Sequence, residues 1–212
     1  MVLCYCIKNK HKIKENNMFY AFLIIISYLL GSIPFGVIVA KLSKNVDLRK
    51  VGSGNIGATN VMRVGGLRLA GLVWILDMLK GIAAVLVGGF LVGGVFSIWC
   101  GFVAIVGHCF PIWLKFHGGK GVSVLFGMLF VGNPLWFLVL GAEWLVAALI
   151  SGYSSLGALF VFMTLPVFGF LVGKSVGFAL LAISLLCLVR HRENIVRLIQ
   201  GKESKIEWKW KK

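Results

Sequence analysis

Residues 121–189 read GVSVLFGMLFVGNPLWFLVLGAEWLVAALISGYSSLGALFVFMTLPVFGFLVGKSVGFALLAISLLCLV, and this stretch decides the fold. It contains only two charged side chains. A membrane-spanning helix needs about 20 apolar residues, so the stretch is long enough for several crossings. Helix-breaking signals at Gly132-Asn133-Pro134, Ser151-Gly152 and Gly173 favour four short helices over two long ones.

The composition of the whole 212-residue chain also indicates a membrane protein. Hydrophobic residues make up 59% and charged residues 14%, and the mean hydropathy is +0.93, which excludes an ordinary soluble domain. The formal net charge of +15 indicates cytoplasmic loops beside anionic lipid or anionic substrates rather than nucleic-acid binding. Five cysteines without CxxC spacing predict neither a disulfide framework nor a zinc site.

Three basic segments set the predicted topology. They are Lys41 to Arg68, Lys115 to Lys120 and the tail from Arg190, and the positive-inside rule places all three in the cytoplasm. Two crossings fit between the first and second segments, four fit between the second and third, and Met18 to Ala40 adds one. We therefore predict an all-α, polytopic integral membrane protein with about seven transmembrane helices, its N-terminus outside and its C-terminus cytoplasmic. Five helices is the alternative.

Both ends of the chain are expected to lie outside a single membrane-embedded domain, residues 18–201. Residues 1–17 carry four lysines that this topology places outside, against the positive-inside rule. We interpret them as a non-native or dispensable extension, with the natural start at Met18. Residues 202–212 are expected to form a basic cytoplasmic tail.

The first cluster of polar residues is Gly52-Ser53-Gly54-Asn55-Ile56-Gly57-Ala58-Thr59-Asn60, followed by Arg63. Glycines let the backbone turn its N–H groups toward a ligand, and Ser, Thr and Asn add short donors. A loop of this kind, entering the next helix near Gly65-Gly66, suits a phosphate. A flexible loop without a ligand is the alternative.

The second cluster is GHCFP at residues 107–111, followed by KFHGGKGV at 115–122. Glycines flank Lys120 at the start of a predicted helix, where free N–H groups, the helix dipole and a mobile cation favour phosphate. It is not a Walker A loop, because leucine replaces the first glycine and no carboxylate is near to hold magnesium. His108 and His117 are interpreted as structural, because a metal would need more ligands.

The third cluster is His191-Arg192-Glu193-Asn194-Ile195-Val196-Arg197 at the end of the last helix. His191, Asn194 and Arg197 share one stripe if the helix continues, while Glu193 points elsewhere. The stripe is a donor surface with one group that titrates near neutrality. A helix end with basic anchors and a Glu193 ion pair is the alternative.

Three ionisable residues lie within predicted spans, where such groups are costly. Asp77 and Lys80 are spaced for a structural ion pair, and a role beside the site stays open. Glu143 is expected to snorkel toward the membrane surface or to meet a polar partner rather than to take part in chemistry. The polar clusters themselves crowd one surface, whereas a transporter would place them near the midplane of interrupted helices. Together they predict a site at the cytoplasmic membrane surface for at least one phosphorylated, metal-free substrate.

In order and spacing, Gly31-Ser32-Ile33-Pro34-Phe35-Gly36 and the three clusters closely resemble the bacterial acyl-phosphate-dependent glycerol-3-phosphate acyltransferases, the PlsY family. The resemblance covers Met18 to about Gly201. It implies a seven-helix enzyme of the bacterial inner membrane, with its active site facing the cytoplasm. This enzyme would transfer a fatty acyl group from acyl phosphate to the 1-hydroxyl of glycerol 3-phosphate. The products would be lysophosphatidic acid, for phospholipid biosynthesis, and inorganic phosphate, without direct use of acyl-CoA or acyl carrier protein.

The resemblance also implies residue roles and partners. The implied catalytic residues are Ser53, Arg63, Lys120, His191 and Asn194. The implied substrate-binding residues are Gly54, Asn55, Thr59, Asn60, Gly118, Gly119 and Gly121, with Glu193 as structural support. No metal or cofactor is expected. The expected partners are the two substrates and membrane lipid. A functional link to the enzyme that makes acyl phosphate is also expected. Nucleic acid is not expected to bind.

Overall fold

The structure is a computed structural model that describes residues 17–206, and within this range every regular element is helical. Two short 3₁₀ turns occupy Leu48–Lys50 and Ile112–Leu114. The α-helices are α1 (Asn17–Ser32), α2 (Phe35–Lys44), α3 (Ala58–Leu91), α4 (Phe96–Cys109), α5 (Val122–Gly132), α6 (Pro134–Ser151), α7 (Ser154–Val172), α8 (Lys174–Arg190) and α9 (Arg192–Ile199).

Within residues 17–206, five helical segments are long and apolar enough to cross a membrane. They are Asn17–Lys44, Ala58–Leu91, Phe96–Leu114, Pro134–Ser151 and Ser154–Val172. The apolar helix α8 and the short helix α9, bent by 57° relative to it, qualify together as a sixth, and α5 is a shorter apolar helix. The all-helical, polytopic membrane class is thus confirmed, while the number of crossings and the orientation stay predictions.

The stretch 121–189 folds into four helices, α5 to α8, as predicted. The Asn133 side chain caps α6 by accepting from the Trp136 N–H at 3.3 Å, and Pro134 begins that helix, where it loses no hydrogen bond. Gly152 ends α6 in the left-handed conformation, with φ +79°. The breaks therefore have the local causes that the sequence indicates.

The first apolar run, Met18 to Ala40, is not one uninterrupted helix. It breaks between Ser32 and Phe35, at the position of Pro34. Proline has no N–H and disfavours helical geometry in the residue before it. This break leaves carbonyls at the end of α1 that need partners.

Those carbonyls are bonded by a buried lysine from α3. Lys80 Nζ donates to the carbonyls of Gly31 at 3.1 Å and Ile33 at 2.9 Å. The same ammonium lies 2.7 Å from Asp77 Oδ1 and 3.1 Å from His108 Nδ1. Asp77 and Lys80 therefore form the structural ion pair that their spacing indicates, and the pair joins α1, α3 and α4.

Small residues let α3 pack closely against α5. A Cβ on Gly81 would lie 2.1 Å from the Val124 carbonyl oxygen, and one on Gly127 would lie 2.0 Å from that of Met78. Close helix contact through small residues is typical of membrane bundles, where van der Waals packing replaces the hydrophobic effect. The outer surface carries large apolar side chains such as Ile150, 83% exposed.

Candidate active site

Four segments meet at one end of the bundle: residues 45–57, 110–121, 152–153 and 191–206. The hydroxyl oxygens of Thr59 and Ser154, beside two of these segments, lie 3.2 Å apart. The Ile206 N–H donates to the Gly152 carbonyl at 2.8 Å. Helices and segments together enclose a cavity of about 710 Å³.

The lining of this cavity changes from polar to apolar with distance from that end. Along α3 it passes from Thr59 and Arg63 to Leu67 and Trp74. The apolar lining residues are Leu67, Ala70, Trp74, Val122, Phe126, Phe137, Leu138, Ala142, Trp144 and Leu145. A cavity of this form can hold a molecule with a polar head and an apolar chain.

The structure brings most of the sequence-predicted site residues to this cavity. Those that line it are Ser53, Asn55, Thr59, Asn60, Arg63, Lys120, Gly121, His191 and Asn194. Four others, Gly54, Gly118, Gly119 and Glu193, do not line it. Glu193 lies on the exposed face of α9, with its side chain 69% exposed and 4.0 Å from Arg197.

The first cluster is partly helical, because α3 begins at Ala58 and kinks at Gly66, which has φ +78°. Thr59, Asn60 and Arg63 therefore project from a short helical segment rather than from the predicted loop. This segment holds them at fixed spacing beside the loop that carries Ser53.

Asn60 organises that loop through hydrogen bonds of its side-chain amide. Its Oδ1 accepts from the Ser53 N–H at 3.0 Å, and its Nδ2 donates to the carbonyls of Leu48, Val51 and Asn55. The side chain is 1% exposed. Because these bonds engage both Nδ2 and Oδ1 of the amide, Asn60 fixes the shape of the loop that carries Ser53.

The glycine pair of the second cluster is likewise held by the protein. The N–H groups of Gly118 and Gly119 donate to carbonyls of α4, and their own carbonyls accept from the Arg190 guanidinium at 2.9 and 3.1 Å. The N–H groups of the first turn of α5, which follows Gly121, have no carbonyl partners within that helix. Arg190 thus fixes the loop that presents Lys120, a role that the sequence did not reveal.

Lys120 belongs to a chain of hydrogen bonds that crosses the polar end of the cavity. Its ammonium donates to Asn194 Oδ1, and Asn194 Nδ2 donates to Glu203 Oε1 at 2.6 Å. Burial and the neighbouring Arg197 lower the pKa of Lys120 to about 8, although Glu203 opposes the shift. Lys120 is therefore mostly protonated at neutral pH.

His191 occupies the bend between α8 and α9, where the predicted continuous stripe is interrupted. Its Nδ1 lies 2.8 Å from the Cys187 carbonyl, so Nδ1 carries the hydrogen and Nε2 is an acceptor. Burial lowers the pKa of His191 to about 4. The imidazole is thus neutral, and no serine hydroxyl within residues 17–206 is hydrogen-bonded to it.

Several cavity residues were missed by sequence reasoning. Glu203, Ser204 and Ile206 lie in or beside the segment expected to form a basic cytoplasmic tail, and all three line the cavity. Ser154 and Ser155 follow a helix break, and this polar pair in an apolar stretch was the one available signal. With Arg63, Lys120 and Arg197 against Glu203, the polar lining carries more positive than negative charge.

The fold and the site define an integral membrane protein with a cationic, amphiphilic cavity and, within residues 17–206, no His, Cys, Asp and Glu cluster suited to a metal. The family described as "Glycerol-3-phosphate acyltransferase" matches residues 21–201. The chain belongs to the glycerol-3-phosphate acyltransferase family.

Similar proteins agree with this assignment. A glycerol-3-phosphate acyltransferase of Agrobacterium fabrum is 48% identical over 183 residues, covering 86% of this chain and 89% of the relative. One from Brucella suis is 46% identical and covers 91% and 97%. The crystal structure of PlsY (YgiH), an integral membrane glycerol 3-phosphate acyltransferase in its glycerol 3-phosphate form, superposes with a TM-score of 0.83 at 39% identity. That match covers 89% of this chain and 96% of the solved chain.

Proposed function

We propose that this protein transfers a fatty acyl group from acyl phosphate to the 1-hydroxyl of glycerol 3-phosphate, forming lysophosphatidic acid and inorganic phosphate. The observation that carries the proposal is the cavity, whose cationic end adjoins an apolar end. The solved relatives include glycerol 3-phosphate and lysophosphatidic acid forms, which supports the same acceptor and product here.

An already activated donor fits the groups that line the cavity. In acyl phosphate the carbonyl carbon is part of a mixed anhydride, so no covalent nucleophile is needed. The glycerol 3-phosphate hydroxyl oxygen attacks this carbon, the bond to the phosphate oxygen breaks, and the electron pair leaves with the phosphate. Cations such as Lys120 and Arg63 would stabilise the negative charge on the leaving phosphate, and fixed binding of both substrates would contribute roughly 7–11 kcal/mol.

The proton of the attacking hydroxyl goes to a phosphate oxygen of the substrates in this mechanism. His191 is the alternative acceptor, but a base with a pKa of about 4 is weaker than a phosphate ester, whose second ionisation lies near 6. The neutral Nε2 of His191 can instead accept a hydrogen bond from the hydroxyl and orient it.

This assignment predicts the pH dependence of a His191→Gln variant. With phosphate as the base, kcat/KM falls as pH drops through about 6, both in the wild type and in the variant. The variant should lose part of kcat, because orientation is impaired. A pH profile of the variant that is flat from pH 5.5 to 8 would instead assign the proton transfer to His191.

The donor is tested directly with purified protein in detergent and glycerol 3-phosphate. Palmitoyl phosphate and palmitoyl-CoA are supplied separately, and lysophosphatidic acid is quantified by mass spectrometry. We expect product from palmitoyl phosphate and none above background from palmitoyl-CoA. Equal product from the two donors would reject the proposed donor.

We also propose that the cavity faces the cytoplasm of a bacterial inner membrane. The shared end of the bundle carries the basic segments of the chain, which supports this orientation. In a Cys4→Ser, Cys6→Ser background, a cysteine replacing Ser43 should resist an impermeant thiol reagent in intact spheroplasts and react after lysis. A cysteine replacing Ser175, at the opposite end, is the control and should react without lysis. Labelling of the cysteine at position 43 in intact spheroplasts would show that this end of the bundle faces outward and would contradict the proposed orientation.

A further inference from the structure

The segment after α9 turns back across the cavity and brings a carboxylate into its polar end. Gly201 makes the turn with φ +66°, and the Lys202 N–H donates to the Arg197 carbonyl at 2.8 Å. The Ser204 carbonyl accepts from Arg63, and the Ile206 N–H reaches the Gly152 carbonyl. The segment therefore connects α9 with the far side of the cavity.

The side chain of Glu203, within this segment, is 7% exposed. Its Oε1 accepts from Asn194 Nδ2 at 2.6 Å and from the Ser155 hydroxyl at 2.8 Å, and its Oε2 accepts from Arg197 Nε at 2.7 Å. These hydrogen bonds outweigh burial and lower the pKa of Glu203, so the carboxylate stays ionised at neutral pH.

The hydrogen bonds determine which way the Asn194 amide faces. A carboxylate only accepts hydrogen bonds and an ammonium only donates them. With Glu203 on one side and Lys120 on the other, only one amide orientation satisfies both: Nδ2 toward Glu203 and Oδ1 toward Lys120. Without the carboxylate, nothing among these contacts opposes the reversed amide, which would turn its own donors toward the ammonium.

We propose that Glu203 is a positioning residue that sets the place of the Lys120 ammonium by orienting the Asn194 amide. The proposal rests on the proposed function in assigning Lys120 to a substrate phosphate. Glu203 need not touch either substrate. Because it is an anion beside a phosphate site, its role is to align, and its charge by itself opposes phosphate binding.

A Glu203→Gln variant separates alignment from simple support of the cavity. It should lower kcat about tenfold, close to the lower limit for the loss of one charged hydrogen bond. KM should not rise, because one negative charge near the phosphates is removed. Lys202→Gln, an exposed neighbour in the same segment, is the control and should leave kcat within twofold. A kcat within twofold for Glu203→Gln, or a higher KM with kcat retained, would overturn the proposal.

The route through Lys120 is tested in the double variant. In a Lys120→Ala background, Glu203→Gln should change kcat less than twofold, because the group that it positions is absent. A full tenfold loss in that background would show that Glu203 acts elsewhere. If the glutamine variant is not recovered folded, Glu203→Asp takes its place, since the shorter side chain cannot reach both Asn194 and Arg197.

A measurement without turnover separates this proposal from the proposed function. Removing the Glu203 charge should lower the pKa of Lys120 further, so an amine-acylating reagent should label Lys120 faster at pH 7.5, as read by peptide mass spectrometry. Lys202→Gln should leave the labelling rate unchanged. An unchanged rate in Glu203→Gln would overturn the positioning role, whereas absence of product in the wild type would reject only the proposed function.

Discussion

A Lys80→Met variant should lower the apparent unfolding temperature of the purified protein in detergent by roughly 10 °C. Removing one partner of a buried ion pair costs about 3–5 kcal/mol, because the other charge stays buried without compensation. Here the loss is compounded, since Lys80 also donates to the carbonyls of Gly31 and Ile33 at the end of α1. Thermal unfolding monitored by intrinsic fluorescence measures the effect.

Lys174→Met is the matched control, because the same change is made at an exposed position at the start of α8. It should shift the unfolding temperature by no more than about 2 °C. Adding Asp77→Leu to Lys80→Met should recover part of the loss, since the unpaired carboxylate is gone while the α1 carbonyls still lack a donor. A Lys80→Met protein as stable as the control would contradict the structural role of the pair.

The second large effect is expected for Lys120→Ala. Truncation removes the cation at the polar end of the cavity, and a charged hydrogen bond contributes about 1.5–3 kcal/mol, so kcat/KM should fall roughly 12- to 160-fold. Steady-state assays with each phosphorylated substrate varied in turn measure the loss. Lys115→Ala, in the same loop but exposed and outside the cavity, should stay within twofold.

Lys120 also predicts an alkaline limit on activity. Its pKa is about 8, so the ammonium loses its proton as pH rises through that value, and wild-type kcat/KM should fall there. The remaining activity of Lys120→Ala should lack that fall. An unchanged kcat/KM in Lys120→Ala, for both substrates, would show that Lys120 is a solvated side chain without a role in substrate binding or catalysis.

Much of the fold could be predicted because its causes are local. Pro134, Gly152 and Gly173 break helices through their own backbone chemistry, and the three boundaries between the four helices of residues 121–189 lie at these residues. The polar clusters were equally visible in the sequence. Cations in an apolar chain are costly, so their presence beside glycines indicates a functional site. Their convergence on one cavity follows from the alternating direction of successive helices.

The remaining features depend on tertiary contacts between residues far apart in the sequence. Nothing near Lys80 indicates that it bonds the end of α1, nor does the sequence around Arg190 indicate the two glycine carbonyls that it holds. The sequence does not identify Glu203 as a site residue, because it lies among lysines in a polar end of the chain. Only the turn at Gly201 brings it back to Asn194.

Asn60 illustrates a different limit. An asparagine in a glycine-rich segment fits a ligand donor and a loop-organising residue equally well, because the amide serves both purposes. Its neighbours in the sequence do not reveal the loop-organising role, which becomes visible in the structure, where Asn60 is 1% exposed and its amide is bonded to the loop.

The central claim is that the cavity aligns two substrates for direct acyl transfer, without a covalent enzyme intermediate. Rapid-quench measurement of inorganic phosphate from palmitoyl phosphate tests it, with and without glycerol 3-phosphate, at enzyme concentrations high enough to detect one equivalent. Direct transfer predicts no phosphate burst without glycerol 3-phosphate, and equal amounts of phosphate and lysophosphatidic acid with it. A burst of one phosphate per enzyme without glycerol 3-phosphate would contradict the claim, as would absence of phosphate release with both substrates present.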